Sequence, residues 1–145
     1  MTSDPTLVLL APPGVHDPDP AQTAARGVRI TAAVDTTTIG IVGVSRDGID
    51  ALDEAARNPH VVRLVLVNVP FEPDVLRAEP ASVAAKILLL FGARDVATGS
   101  AHGRRWQRLL PDARLEMVPD GGEEILDRMW TRVLAHLAPR RPGTR

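Results

Sequence analysis

The sequence predicts an α/β protein, a mostly parallel sheet of about six strands flanked by helices. Three observations predict it. Apolar runs of strand length recur along the chain, several of them continuous rather than alternating, as in parallel strands buried on both faces. Segments with apolar residues at three- and four-residue spacing lie between them. The 145 residues, 44% hydrophobic and 24% charged with a formal net charge of −1, have the composition of an ordinary globular domain.

In chain order, Thr6–Ala11 (TLVLLA) is the first strand and Val28–Val34 (VRITAAV) a weaker one nearer an edge. Ile39–Val44 (IGIVGV), Val62–Asn68 (VRLVLVN) and Ile87–Phe91 (ILLLF) are central strands, and Arg114–Val118 (RLEMV) is a second edge candidate. Helical spacing marks Arg46–Arg57, Gly103–Leu110 and Glu124–Leu137, with a short helix at Pro73–Ala78. Ile125, Met129, Val133 and Leu137 form one stripe beside Trp130. Only Asp35–Thr38 separates Val28–Val34 from Ile39–Val44. Four residues reach about 14 Å, whereas a parallel return takes about a dozen residues. The first of the two is therefore expected to be a short or irregular edge strand. Residues 1–138 are expected to form one domain, and Pro139–Arg145 (PRRPGTR) a flexible tail.

Composition also excludes. There is no cysteine, so disulfides, thiolate metal sites and cysteine catalysis are ruled out. Near-neutral charge leaves no footprint for nucleic acid or an anionic membrane. Phe71, Phe91, Trp106 and Trp130 are the only aromatic residues, too few for a base-stacking platform. The absence of tyrosine removes mechanisms with a tyrosine acid or base, short-chain dehydrogenases among them. The start Met1-Thr-Ser-Asp-Pro is unlike a signal peptide and no apolar run approaches a membrane span, so a cytoplasmic protein is expected. Gly43 and Gly48 lack the spacing of a dinucleotide-binding turn, and no cofactor is expected. His16-Asp17-Pro18-Asp19 reads as a solvated turn rather than a metal site, and Arg104, Arg105 and Arg108 as a solvated helix face.

Ile39–Pro70 (IGIVGVSRDGIDALDEAARNPHVVRLVLVNVP) resembles the nucleophile-elbow region of the α/β-hydrolase family, where a strand ends in G-x-S-x-G and a helix follows. Ile87–Asp95 (ILLLFGARD) is similar to the strand that carries the triad acid. Gly103–Leu126 is similar to the helix, last strand and loop that carry the histidine. Together they cover about two-thirds of the chain, in order. The resemblance implies a truncated, cap-less three-layer sandwich of that fold.

It also implies roles. Ser45 takes the nucleophile position and Asp95 that of the acid. The base position, just after Gly121-Gly122, holds Glu123 and Glu124, and a carboxylate with a pKa of about 4.3 is a poor base for a serine hydroxyl. Asp47 stands where the elbow wants its second glycine, with Gly48 next to it, and Ser45 could instead cap the following helix. Arg46 can supply one oxyanion N–H, whereas Pro12 and Pro13 have none to give, leaving Gly14 or Val15 for the other.

The leading expectation is thus a protein with an incomplete triad, weakly active or inactive, acting through binding or homodimer assembly. The dimer would cover an apolar sheet face left bare by the missing crossover helix. One alternative is an esterase or thioesterase for a small ester or acyl ligand, using Ser45, Asp95 and His16 or His102 as a non-standard base. Another is a nonhydrolytic enzyme with Asp47, Asp95, Glu123 or Glu124 as acid or base.

Overall fold

The computed structural model describes residues 4–139. All six strands run parallel in the order β2-β1-β3-β4-β5-β6. They are β1 Thr6–Leu10, β2 Arg29–Thr31, β3 Thr38–Val44, β4 Arg63–Val67, β5 Lys86–Gly92 and β6 Ala113–Val118. The helices are α1 Pro20–Ala25, α2 Asp47–Arg57, α3 His102–Leu109, α4 Ile125–Arg128 and α5 Trp130–Leu137.

Alternate residues of the central strands feed two cores, as a period of two requires. On one face, Val8, Ile41, Leu64, Leu66, Leu89 and Phe91 meet Ile49, Leu52 and Ala55 of α2 and Trp106 of α3. On the other, Leu7, Val42, Val65, Val67, Leu88 and Leu90 meet Trp130, Val133, Leu134 and Leu137 of α5. Each tryptophan is buried with its N–H satisfied: Trp106 donates to the Val69 carbonyl and Trp130 to Thr23 Oγ1, both at 3.0 Å. Burying a large aromatic this way keeps the apolar gain without an orphaned donor.

The edge strand β2 is three residues long and parallel, and it pairs with β1 rather than β3. Arg29 and Thr38 both lie level with Thr6, so a strand this short needs little return path. Residues 32–37 provide it without a helix.

Several elements differ from expectation. The helix α1 carries no long apolar stripe, yet Asp19 Oδ1 accepts the Gln22 amide at 3.1 Å as N-cap and Pro20 follows at the first turn. That Asp-Pro pair was the available signal. Pro73–Ala78 is not an α-helix: the segment makes 3₁₀ turns at Pro73–Val75 and Pro80–Ser82, each opened by its proline, with Leu76 and Glu79 extended between them, Glu79 because the residue before a proline is pushed out of the helical region. The final helical stretch breaks at Met129, giving α4 and α5.

No bare apolar sheet face is seen among the described residues. The exposed large hydrophobic side chains are Val62, Val75, Val96 and Leu109, scattered over separate elements. Leu7 and Val8 of β1 are fully buried, with Val28 packed beside Leu7 and Val34 against the core around Val8. No described helix is long and apolar enough to cross a membrane. Of the expected tail, residues 140–145 lie outside the described residues.

Candidate active site

Because every strand is parallel, the loops after β1, β3, β4, β5 and β6 gather at one edge of the sheet. The chain order reverses at β1, which has β2 on one side and β3 on the other. Such a switch point opens a crevice, where ligands of open α/β sheets bind. Here it is a cleft of about 1040 Å³ lined by residues 12–18, Val44, Ser45, Asn68, residues 94–97, Glu123, Glu124, Leu126 and Asp127. Ser45, Asp95, Glu123, Pro13 and Gly14 all line it, as does His16.

Ser45 sits directly after β3 with φ +57°, a left-handed conformation that costs an L-residue about 1–2 kcal/mol. Its amide is tied to the Val67 carbonyl at 2.9 Å and its carbonyl accepts the Gly48 amide at 3.0 Å. The helix begins at Asp47 with Arg46 as N-cap and no side-chain cap, so Ser45 does not cap it. The close packing of this turn explains the glycines. A Cβ on Gly43 would lie 2.5 Å from Gly48 Cα, and a Cβ on Gly48 would lie 2.2 Å from Val69 Cγ2. The residue that must be small on the helix side is therefore Gly48. Asp47, one position earlier, is only partly buried and tolerates its side chain.

Pro12-Pro13-Gly14-Val15 forms a turn closed by the Val15 amide on the Pro12 carbonyl at 3.2 Å, with Gly14 at φ +90°. Proline then glycine at the two central positions is the type II pattern. The turn consumes the Val15 N–H and Pro13 contributes only wall, so Gly14 is the residue of this turn with an amide to offer. Arg46 reaches away from the cleft, its guanidinium 3.5 Å from Glu72 Oε1.

Asp95 Oδ2 accepts the Thr98 amide at 3.0 Å and hydroxyl at 2.8 Å, which fixes the carboxylate at the rim. Glu124 Oε1 accepts the Gly122 amide at 3.3 Å and lies 3.6 Å from Arg128. Hydrogen bonds from its own backbone and the Gly122 amide, then the Arg128 charge, hold its carboxyl below the ordinary range. A carboxylate so stabilised is a weaker base still. Glu123 is exposed on the same loop.

Of the histidines, His16 is exposed in the cleft. His102 is not among the lining residues, and its Nδ1 accepts the Phe71 amide at 2.8 Å. His60 and His136 are bound to the carbonyls of Asp35 and Lys86, at 2.8 and 3.0 Å. Among the described residues no three histidine or acidic groups converge as a metal site.

The residue that sequence reasoning missed is Asn68, at the end of β4. It is 4% exposed, has φ +50° and lines the cleft. Asparagine tolerates the left-handed region better than most residues, which made a polar residue closing the LVLVN strand a readable signal.

No protein-family model matches the sequence, and no curated protein matches it. Solved structures do. The enol-lactonase from Burkholderia xenovorans is 14% identical with a TM-score of 0.71, over 96% of this chain and 93% of that one. A predicted CIB-like hydrolase from Thermoplasma acidophilum is 14% identical with a TM-score of 0.68, over 89% and 83%. An esterase from Pyrococcus furiosus is 12% identical with a TM-score of 0.63, over 93% and 82%. The parallel sheet, the strained serine after its third strand and these likenesses agree: the chain has the α/β-hydrolase fold.

Proposed function

We propose that the cleft binds a small acyl or ester ligand over Ser45 and hydrolyses it slowly or not at all. One observation carries the reading. Ser45 is held in a strained conformation at an open cleft, while the 121–124 loop offers only Glu123 and Glu124 where a base is needed. In this reading the amides of Arg46 and Gly14 receive the ligand's carbonyl oxygen, and Asp95 has no imidazole to orient. The incomplete triad limits the rate, since a positioned general base is worth about 10²–10⁴-fold. Ligand binding is favoured over homodimer assembly because the described surface offers no continuous apolar face. A carboxylate acid/base enzyme is disfavoured by the stabilised ionised form of Glu124.

A second reading has one specific support. His16 lines the same cleft as Ser45, so it could serve as the base of a working esterase or thioesterase. Intact-mass labelling with a fluorophosphonate separates the two. Slow or absent labelling of the folded wild type is expected. Rapid stoichiometric labelling that disappears in both Ser45→Ala and His16→Ala would replace the first reading by the second.

A further inference from the structure

The sheet ends on an open edge: among the described residues β6 pairs with β5 alone. The strand is regular over Ala113–Val118, with no register shift against β5 and no proline or glycine in it. Alternate residues of an edge strand turn their backbone groups toward the sheet and away from it. The Asp112 carbonyl accepts the Ile87 amide at 2.9 Å and the Val118 carbonyl the Ala93 amide at 3.0 Å, so the even-numbered residues face β5. The amides and carbonyls of Ala113, Leu115 and Met117 therefore point outward, and such a row is a template for another strand.

The sequence along this edge is balanced about Leu115. Arg114 and Glu116 flank it with opposite charges on one face of the sheet, 3.8 Å apart. Arg114 is 79% exposed, whereas Glu116 is anchored by Arg132 of α5. Pro111 and Pro119 stand four residues to either side of Leu115 and have no N–H to add to a ladder.

We infer that the β6 edge is a self-association surface, on which a second copy of this chain pairs β6 antiparallel to β6 about a two-fold axis at Leu115. Leu115 then exchanges both backbone hydrogen bonds with its own copy, and Ala113 does so with the partner's Met117. Arg114 comes opposite the partner's Glu116 at a non-hydrogen-bonded position, where facing side chains lie closest. Other centres fail. An axis at Arg114 or Glu116 sets like charges face to face, and one at Ala113 or Met117 sets a proline against Leu115. The exposed arginines of α3, which packs on β5 and β6, repel their counterparts across the axis, so the dimer is weak and concentration-dependent. This pairing joins backbone edges and needs no apolar face. It leaves the reading of the cleft untouched, since the two clefts open at opposite ends of the seam.

Sedimentation equilibrium of the full chain, from micromolar to millimolar concentration, tests this. The wild type is expected to form a reversible dimer. Arg114→Glu puts carboxylates face to face and should weaken association at least about tenfold. Glu116→Arg should do the same with guanidinium groups. An equimolar mixture of the two variants should recover the dimer, because each chain supplies the charge that the other lacks. A wild type that stays monomeric overturns the proposal, and so does a dimer that Arg114→Glu leaves unchanged. Two folded variants that stay monomeric when mixed overturn the pairing centred on Leu115. Should Glu116→Arg fail to fold without its Arg132 bond, the exposed substitution Arg114→Glu decides the matter alone.

Discussion

Asn68 accepts the amide of Gly92 on Oδ1 at 2.8 Å, inside the protein, where the ends of β4 and β5 meet. From Nδ2 the same side chain donates to the Gly122 carbonyl at 3.0 Å. Gly92 in turn packs so closely that a Cβ there would lie 2.3 Å from the Gly121 carbonyl oxygen. One amide side chain thus ties the ends of β4 and β5 to the loop that follows β6.

Asn68→Ala removes both bonds and leaves a buried donor without a partner. It is expected to cost about 1–3 kcal/mol, measured by urea unfolding. A loss too small to detect would mean that water replaces the side chain and that the clasp is not structural.

The serine turn stores strain, so relieving it should stabilise the protein. Ser45→Gly is expected to gain about 0.5–1 kcal/mol, the relief of a left-handed L-residue less the entropy of glycine. The same denaturation curves check it, and a destabilised variant would show that the Ser45 side chain contributes more than its backbone costs.

Packing at the elbow makes a paired prediction. Gly48→Ala drives a methyl into Val69 and should cost about 1–3 kcal/mol. Adding Val69→Ala should recover part of that cost, giving a coupling energy of opposite sign in a double-mutant cycle. Additive losses would place the clash elsewhere.

If the 121–124 loop lacks only a base, supplying one should raise activity. Glu123→His is expected to increase hydrolysis of an activated aryl acetate at least about tenfold, a fraction of what a well-positioned base provides. Adding Ser45→Ala should abolish the gain. An unchanged rate would show that residue 123 cannot reach Ser45.

His136 predicts a pH dependence. Burial, opposed by its bond to the Lys86 carbonyl and reinforced by the charges of Arg63 and Arg132, holds its pKa below the ordinary value of 6.5. The unfolded chain therefore binds the proton more readily than the native one. Stability rises with pH from the depressed folded value up to the ordinary one and is flat above it. His136→Gln should flatten that part of the curve, read as denaturation midpoints across the acidic to neutral range.

Much of the sheet was legible because its signal is local. Val62–Asn68 and Ile87–Phe91 are continuous apolar runs whose burial on both faces follows from composition alone, and the structure places β4 and β5 within a residue of them. The edge strand was legible from chain length, since Asp35–Thr38 is too short to return a long parallel strand. What failed was local in another way: α1 is held by an N-cap and by Thr23 beneath Trp130 rather than by an apolar stripe, so periodicity missed it.

The sequence by itself determined the α/β class, the strand positions, the absence of cysteine and tyrosine chemistry, and the lack of a histidine after Gly121-Gly122. These depend on residue identity and on short-range pattern. Only the tertiary structure decided that Gly48, not residue 47, must be small, and that Gly14 rather than Val15 retains a free amide in its turn. It also revealed Asn68 as the tie between the ends of β4 and β5 and the loop after β6, and brought Ser45, His16, Asp95 and Glu123 to the lining of one cleft. Each of these depends on distances between segments far apart in the chain, which are set only when parallel strands bring their ends to the same edge.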